Sequence, residues 1–177
     1  MKSSWALFAT VLLTSAPAAA GPSEQRLAQA LFDDARRLME QKRYSEACPK
    51  LAESQRLDPG GGTLLNLAVC HAADGKTATA LVEYTEALSV ATRDGRRDRE
   101  ELARSAIARL EGEVPRVTVV VPAAARAPRL EVKIDETPLP AVAWDVAMPV
   151  DPGGHTIVAT VPGRAPWTTV VSVLPPM

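Results

Sequence analysis

Six positions in the first part of the chain recur at one constant offset of 33 residues: Leu31 with Leu64, Ala35 with Ala68, Leu38 with His71, Ala47 with Ala80, Leu51 with Tyr84 and Ser54 with Ala87. A period of this length is strongly constraining, because each unit must pack against its own copy. Inside each unit the apolar residues fall three and four apart. Leu27, Ala28, Leu31, Ala35, Leu38 and Met39 mark one helical face, and Ala47, Cys48, Leu51, Ser54 and Leu57 mark a second. The spacing predicts a helix up to the turn at Gln41 to Tyr44, a second ending at Asp58-Pro59, a third over 63–73 and a fourth over 78–93. Pro49 is expected in the first turn of the second helix, where a missing backbone donor costs least. The alanines let paired helices approach, while larger residues fill the space between.

A helix pair of this kind cannot bury its apolar face alone, so pairs stack and the last one needs a cap. The segment 99–111 suits that role, with Leu102, Ala106, Ile107 and Leu110 on one side and Asp98 with Glu101 as a capping pair. An irregular five-helix bundle is the alternative.

Composition changes near Pro115. Residues 24–113 are rich in Ala, Leu, Arg and Glu; residues 115–177 are rich in Val, Thr and Pro. A helical block followed by a strand block reads as an α+β chain of two domains, 21–113 and 114–177. In the second block 117–121 is a β-branched run, and Leu130, Val132 and Ile134 alternate with Glu131, Lys133 and Asp135. Thr137-Pro138-Leu139 reads as an edge segment. A turn at Asp151-Pro152-Gly153-Gly154, with His155 assigned to it, starts a strand over 155–161, and 167–173 supplies the last strand. About six short strands indicate a small antiparallel sandwich.

Two resemblances follow. The order of small residue in a first helix, small residue 12 later in a second, bulky residue four further, small residue three further and then Pro59 resembles the tetratricopeptide repeat. The offset is one short of that family's period of about 34. Leu31 or Leu64 and Ala35 or Ala68 stand where the family has an aromatic and a glycine, and Thr92 stands where the second repeat would end in proline. The turns Pro152-Gly153-Gly154-His155 and Pro162-Gly163, with Pro166-Trp167 before the final strand, look like the PEGA domain, a small bacterial β-sandwich, over residues 128–174. Together they imply a secreted bacterial protein joining a short α-solenoid and capping helix to a PEGA-like tail.

The N-terminus agrees with export. Lys2 precedes a short apolar run from Trp5 to Leu13, and Ala18-Ala19-Ala20 puts small side chains before Gly21, the pattern of a cleaved signal peptide over 1–20. The run is shorter than the roughly 20 residues a membrane span requires, and no cysteine follows the cleavage point to carry a lipid. An uncleaved anchor helix is the other reading. The expectation is a periplasmic or secreted protein of the cell envelope, without a membrane span after cleavage.

Charge excludes other partners. Without Lys2 the chain carries 19 Lys and Arg against 21 Asp and Glu, spread evenly over both blocks. No basic stripe exists for nucleic acid, and no polybasic segment for anionic lipid.

Two cysteines and two histidines are present in all. In the tetratricopeptide register Cys48 and Cys70 occupy positions that face each other across adjacent repeats, which implies a disulfide in an oxidising compartment. Two buried thiols, or a metal held by Cys48, Cys70 and His71, are the alternatives, the latter short of a fourth ligand. No metal, cofactor or catalytic group is expected, since Asp33-Asp34 and Glu100-Glu101 diverge on helices and Gly60-Gly61-Gly62 lacks the lysine of a phosphate loop.

The resemblance therefore implies a scaffold that binds an envelope protein or peptide. Phe32, Arg36, Met39 and Glu40 from the first repeat, with Leu65, Val69 and Ala73 from the second, would line its inner surface. The alternative is a cell-wall or glycan-binding tail that uses Trp144 or Trp167 as a stacking platform.

Overall fold

The computed structural model describes residues 21–175; the expected leader, residues 1–20, lies outside the described residues. Five helices come first: α1 (Pro22–Glu40), α2 (Tyr44–Leu57), α3 (Gly61–Ala73), α4 (Thr77–Arg93) and α5 (Arg97–Glu113). Each packs on the next in sequence. The positions related by 33 residues are buried in pairs. Ala35, Ala68, Ala47 and Ala80 are all 0% exposed, and Ser54 and Ala87 are both 3% exposed. Contact between helices this close requires small side chains at the crossing, because a longer side chain would hold the backbones apart.

The repetition extends to the turns. The backbone N–H of Arg43 donates to Leu38, that of Lys76 to His71 and that of Arg96 to Ala91, each at 2.9 Å. Each of these bonds closes the six-residue loop that ends a helix at a left-handed residue. That residue is Lys42, Gly75 or Gly95.

Three details differ from the sequence expectation. Pro49 is the sixth residue of α2 rather than part of its first turn. Its ring removes the donor that Ser45 would have used, and both residues are exposed, where water can serve the free carbonyl. Leu102 is 46% exposed, and α5 instead buries Ala103, Ala106 and Leu110. Consecutive helical residues point about 100° apart, so the buried stripe is turned by one residue toward α4. Leu27, on the expected face of α1, is 52% exposed.

Six strands follow: β1 (Arg116–Thr118), β2 (Glu131–Ile134), β3 (Thr137–Leu139), β4 (Ala147–Pro149), β5 (Gly153–Thr160) and β6 (Trp167–Val173). They form a four-stranded antiparallel sheet in the order β3-β2-β5-β6 and a two-stranded antiparallel ribbon of β1 and β4. Val132 and Ile157 on one face of the large sheet pack with Leu139, Val119 and Val121.

Pairing of the expected strand 117–121 stops at Thr118. Val119 and Val121 continue as extended chain held by Asp145 rather than by a strand. The Asp145 N–H donates to the Val119 carbonyl at 3.0 Å, and its carboxylate accepts from the Val121 N–H at 3.1 Å and from Arg126 at 2.5 Å. Strand β4 was not anticipated from sequence. The two halves meet at α4, where Val114 joins the helical core and the Val150 N–H donates to the Pro115 carbonyl at 3.0 Å.

Candidate partner-binding surfaces

Gln29 and Phe32 of α1, Gly62, Thr63 and Asn66 of α3, and Arg99 of α5 line a groove of about 270 Å³, with Ser54 and Asp58 of α2 beside them. Two glycines shape it. A Cβ at Gly61 would stand 2.7 Å from Val90 Cγ1, so α3 can start against α4 only without a side chain there. A Cβ at Gly62 would stand 3.1 Å from an Arg99 guanidinium nitrogen, so the guanidinium lies over bare backbone. Asn66 Nδ2 donates to the Gly62 carbonyl at 2.8 Å. Among the described residues Arg99 makes no ion pair. A cation flanked by amide side chains and an aromatic ring offers charge, hydrogen bonds and apolar contact to a passing peptide.

The residues singled out from sequence fall in different environments. Phe32 lines the groove. Arg36 and Glu40 are exposed and, four apart, continue the same stripe of α1. Met39 is half-buried against the core around Cys48 and Cys70, and Val69 against the core of α3 to α5. Leu65 is 8% exposed and belongs to that core, so it offers little to a partner. Ala73 is exposed at the end of α3. Gln29, Asn66 and Arg99 were not singled out, because apolar periodicity is blind to polar positions. One available signal was the offset itself, which carries Asp33 to Asn66 and Asn66 to Arg99.

Cys48 and Cys70 form a disulfide that ties α2 to α3, with Cα atoms 5.6 Å apart and a sequence separation of 22. Both residues are buried. The bond takes both sulfurs, which removes the metal alternative. His71 instead pairs with Glu83 through Nδ1 at 2.9 Å and links α3 to α4. Among the described residues no cluster of His, Cys, Asp and Glu could hold a metal ion, and no helix is long and apolar enough to cross a membrane.

In the strand half, His155 lies within β5 rather than in the turn and is 9% exposed. Its Nδ1 bonds the Asp135 carboxylate and its Nε2 lies 2.6 Å from the Asp151 carbonyl oxygen. The Asp135 carboxylate holds the His155 pKa above its ordinary value, with the Asp151 carbonyl adding to it, and the imidazole in turn lowers that of Asp135. Both ring nitrogens are occupied, which leaves neither free to act on a substrate. The Asp151 side chain turns the other way. Its Oδ1 accepts from the N–H groups of Ala78 and Thr79 at 2.7 and 3.0 Å, and its Oδ2 from the Thr79 hydroxyl at 2.5 Å. Lys76, at the N-cap of α4, supplies no side-chain bond, so the cap comes from the other half of the chain.

The two tryptophans differ. Trp144 donates Nε1 to the Leu139 carbonyl at 3.2 Å and lies under Arg126, whose guanidinium carbon is 5.8 Å from the ring centre. It packs against the strand core. Trp167 is 59% exposed and stands on a groove of about 530 Å³ between β6 and residues 119–122. Among the groove's side chains only Thr118 and Thr169 could hydrogen-bond a sugar, and none is ionisable. A glycan platform needs more polar partners than this wall supplies.

Compared with protein-family models, curated proteins and solved structures, the chain shows no match.

Proposed function

We propose that this chain is an exported interaction protein whose helical half holds a peptide or protein segment across α1, α3 and α5. The helices read as two tetratricopeptide-like pairs with α5 as cap, and the strands as a PEGA-like tail. Equal burial and equal turn bonds at a 33-residue spacing support the repeat reading. The Cys48–Cys70 disulfide and the leader-like N-terminus support an oxidising, non-cytoplasmic compartment.

The observation that carries the binding reading is the Arg99 guanidinium, which lies over Gly62 without an acidic partner among the described residues, next to Asn66 and Phe32. A guanidinium matches a carboxylate in shape and charge, so the segment held there carries one, on a side chain or at its end. The envelope protein or peptide that supplies it meets a small groove, and affinity per site is modest.

Selection from a random peptide library, followed by anisotropy titration of the enriched peptides, tests the reading. Enriched peptides should carry a carboxylate at the contact, and Arg99→Glu should weaken them by about tenfold or more, equivalent to about 1.4 kcal/mol, with the circular dichroism unchanged. Arg36→Glu, further along the stripe, should weaken them less. Equal affinity in Arg99→Glu would sink the proposal.

A further inference from the structure

The large sheet has two edges of opposite character. Strand β3 is three residues long and contains Pro138, two devices that discourage a further strand. Strand β6 has neither. It is seven residues long, carries no charge or proline, and runs in unbroken register with β5, so its outer backbone groups form a straight free edge. Val170 is 67% exposed on it, Trp167 59%, and Val120 across the groove 68%. An occupant of this edge must offer backbone amides, β-branched or aromatic side chains at alternate positions, and no charge.

Strand β6 itself meets that description. We propose that two copies of this chain associate through their β6 strands, paired antiparallel about a two-fold axis at Val170. That register overlaps the whole strand and sets Trp167 of one copy against Val173 of the other, Thr168 against Ser172, Thr169 against Val171 and Val170 against itself. Every cross-strand pair is chemically matched: aromatic with β-branched, hydroxyl with hydroxyl, valine with valine. The odd-numbered residues share the groove face with Ile157 and Ala159, so the partner strand also covers the rim of the apolar groove. One two-fold operation satisfies both edges, so the assembly closes at two copies. A single strand pair buries less than the roughly 1,200 Å² of a stable interface, so association is weak and concentration-dependent.

Sedimentation velocity of the purified chain from roughly 1 to roughly 500 µM tests this, a range that brackets weak dimers. The wild-type mass should rise toward that of a dimer, and the amides of β6 should exchange more slowly at the high end. Val170→Lys and Val170→Glu each place like charges at the axis and should stay monomeric, with melting temperatures close to wild type because the side chain is exposed. An equimolar mixture of the two variants should regain association. A wild-type chain that remains monomeric, with unprotected β6 amides, would overturn the proposal and leave the edge to a strand of another protein. Unimpaired association of both variants, or failure of the mixture to recover it, would equally overturn the pairing.

Discussion

Ala35, Ala47, Ala68, Ala80 and Ala103 are all 0% exposed in the helical half, whereas Val132, at 3%, is the best-buried hydrophobic of the strand half. The difference follows from what each half packs against. Every inner helix has a neighbour on two sides and closes onto it with alanine, reinforced by a disulfide. The four-stranded sheet has only a three-residue ribbon and the extended residues 119–121 over its apolar face, which leaves a groove open beside β6. Backbone strain divides the same way. Of the non-glycine residues in the left-handed region, Arg129, Asp135, Glu136 and Asp145 lie in the strand half and Lys42 alone in the helices. One half is a finished frame that carries a polar groove, and the other is an incompletely covered sheet with a free edge.

The sharpest way to break that contrast is to reduce the disulfide. A closed loop of 22 residues constrains the unfolded chain by about 3 kcal/mol in the chain-entropy treatment, and the whole effect should fall on the helices. Outside the leader the tryptophans, Trp144 and Trp167, both lie in the strand half, so fluorescence reads that half while ellipticity at 222 nm reads the helices. Adding reductant, or replacing Cys48 and Cys70 with serine, should lower the urea midpoint by ellipticity far more than by fluorescence. Equal shifts in both signals would mean that the halves unfold as one unit.

A smaller effect is expected where the halves are joined. Asp151→Ala removes the only side-chain cap of α4 and should cost about 1–2 kcal/mol, separating the two transitions further. Asp151→Asn should keep most of it. The neighbouring His155–Asp135 pair adds a pH dependence with a definite sign. His155 is raised above its ordinary 6.5, so its contribution is complete below that value and is lost as pH climbs through the raised one. Asp135 is lowered from 3.8, so its contribution is complete above that value and is lost as pH falls through the lowered one. Stability of the strand half should therefore be greatest between about pH 4 and about pH 6.5 and decline as alkali is added. The fluorescence midpoint in urea at pH 5.5 and pH 8.5 measures the decline, and His155→Gln should flatten it.

The helices were legible because their information is local. A period of 3.6 and an offset of 33 residues can be read from neighbouring letters, and Ala35, Ala47, Leu51 and Ala80 stand in the core as that pattern requires. Faces were lost where the pattern is thin: in α5 the leucine at 102 suggested one stripe, while small Ala103 and Ala106 marked the true one. Strands β5 and β6 were legible from their turns and length. Strand β4 was not, because three residues that include Pro149 gain their conformation from pairing with β1, over thirty positions earlier. The same non-locality hid Asp151 as the cap of α4 and His155 as the partner of Asp135. It hid the candidate site too, since Gln29, Asn66 and Arg99 come from three helices and share no apolar signal.

The smallest predicted change tests whether the three helix-ending turns are one device. Lys42, Gly75 and Gly95 occupy the same left-handed position, at φ of 59°, 82° and 67°, and each turn closes with the same backbone bonds. A side chain at positive φ crowds its own carbonyl, a cost glycine does not carry, although glycine also loses more freedom on folding. If the turns are equivalent, Lys42→Gly should stabilise the helical half by about 0.5–1 kcal/mol and Gly75→Ala should destabilise it by about 1 kcal/mol. Space is not the limit, since no atom lies within 4 Å of a Cβ placed at Gly75 or Gly95. Any loss at Gly75 is therefore backbone strain alone. Both changes should appear in the ellipticity midpoint and leave tryptophan fluorescence unmoved. A Lys42→Gly variant less stable than wild type would show that the stem of Lys42 contributes packing that the other two turns do without.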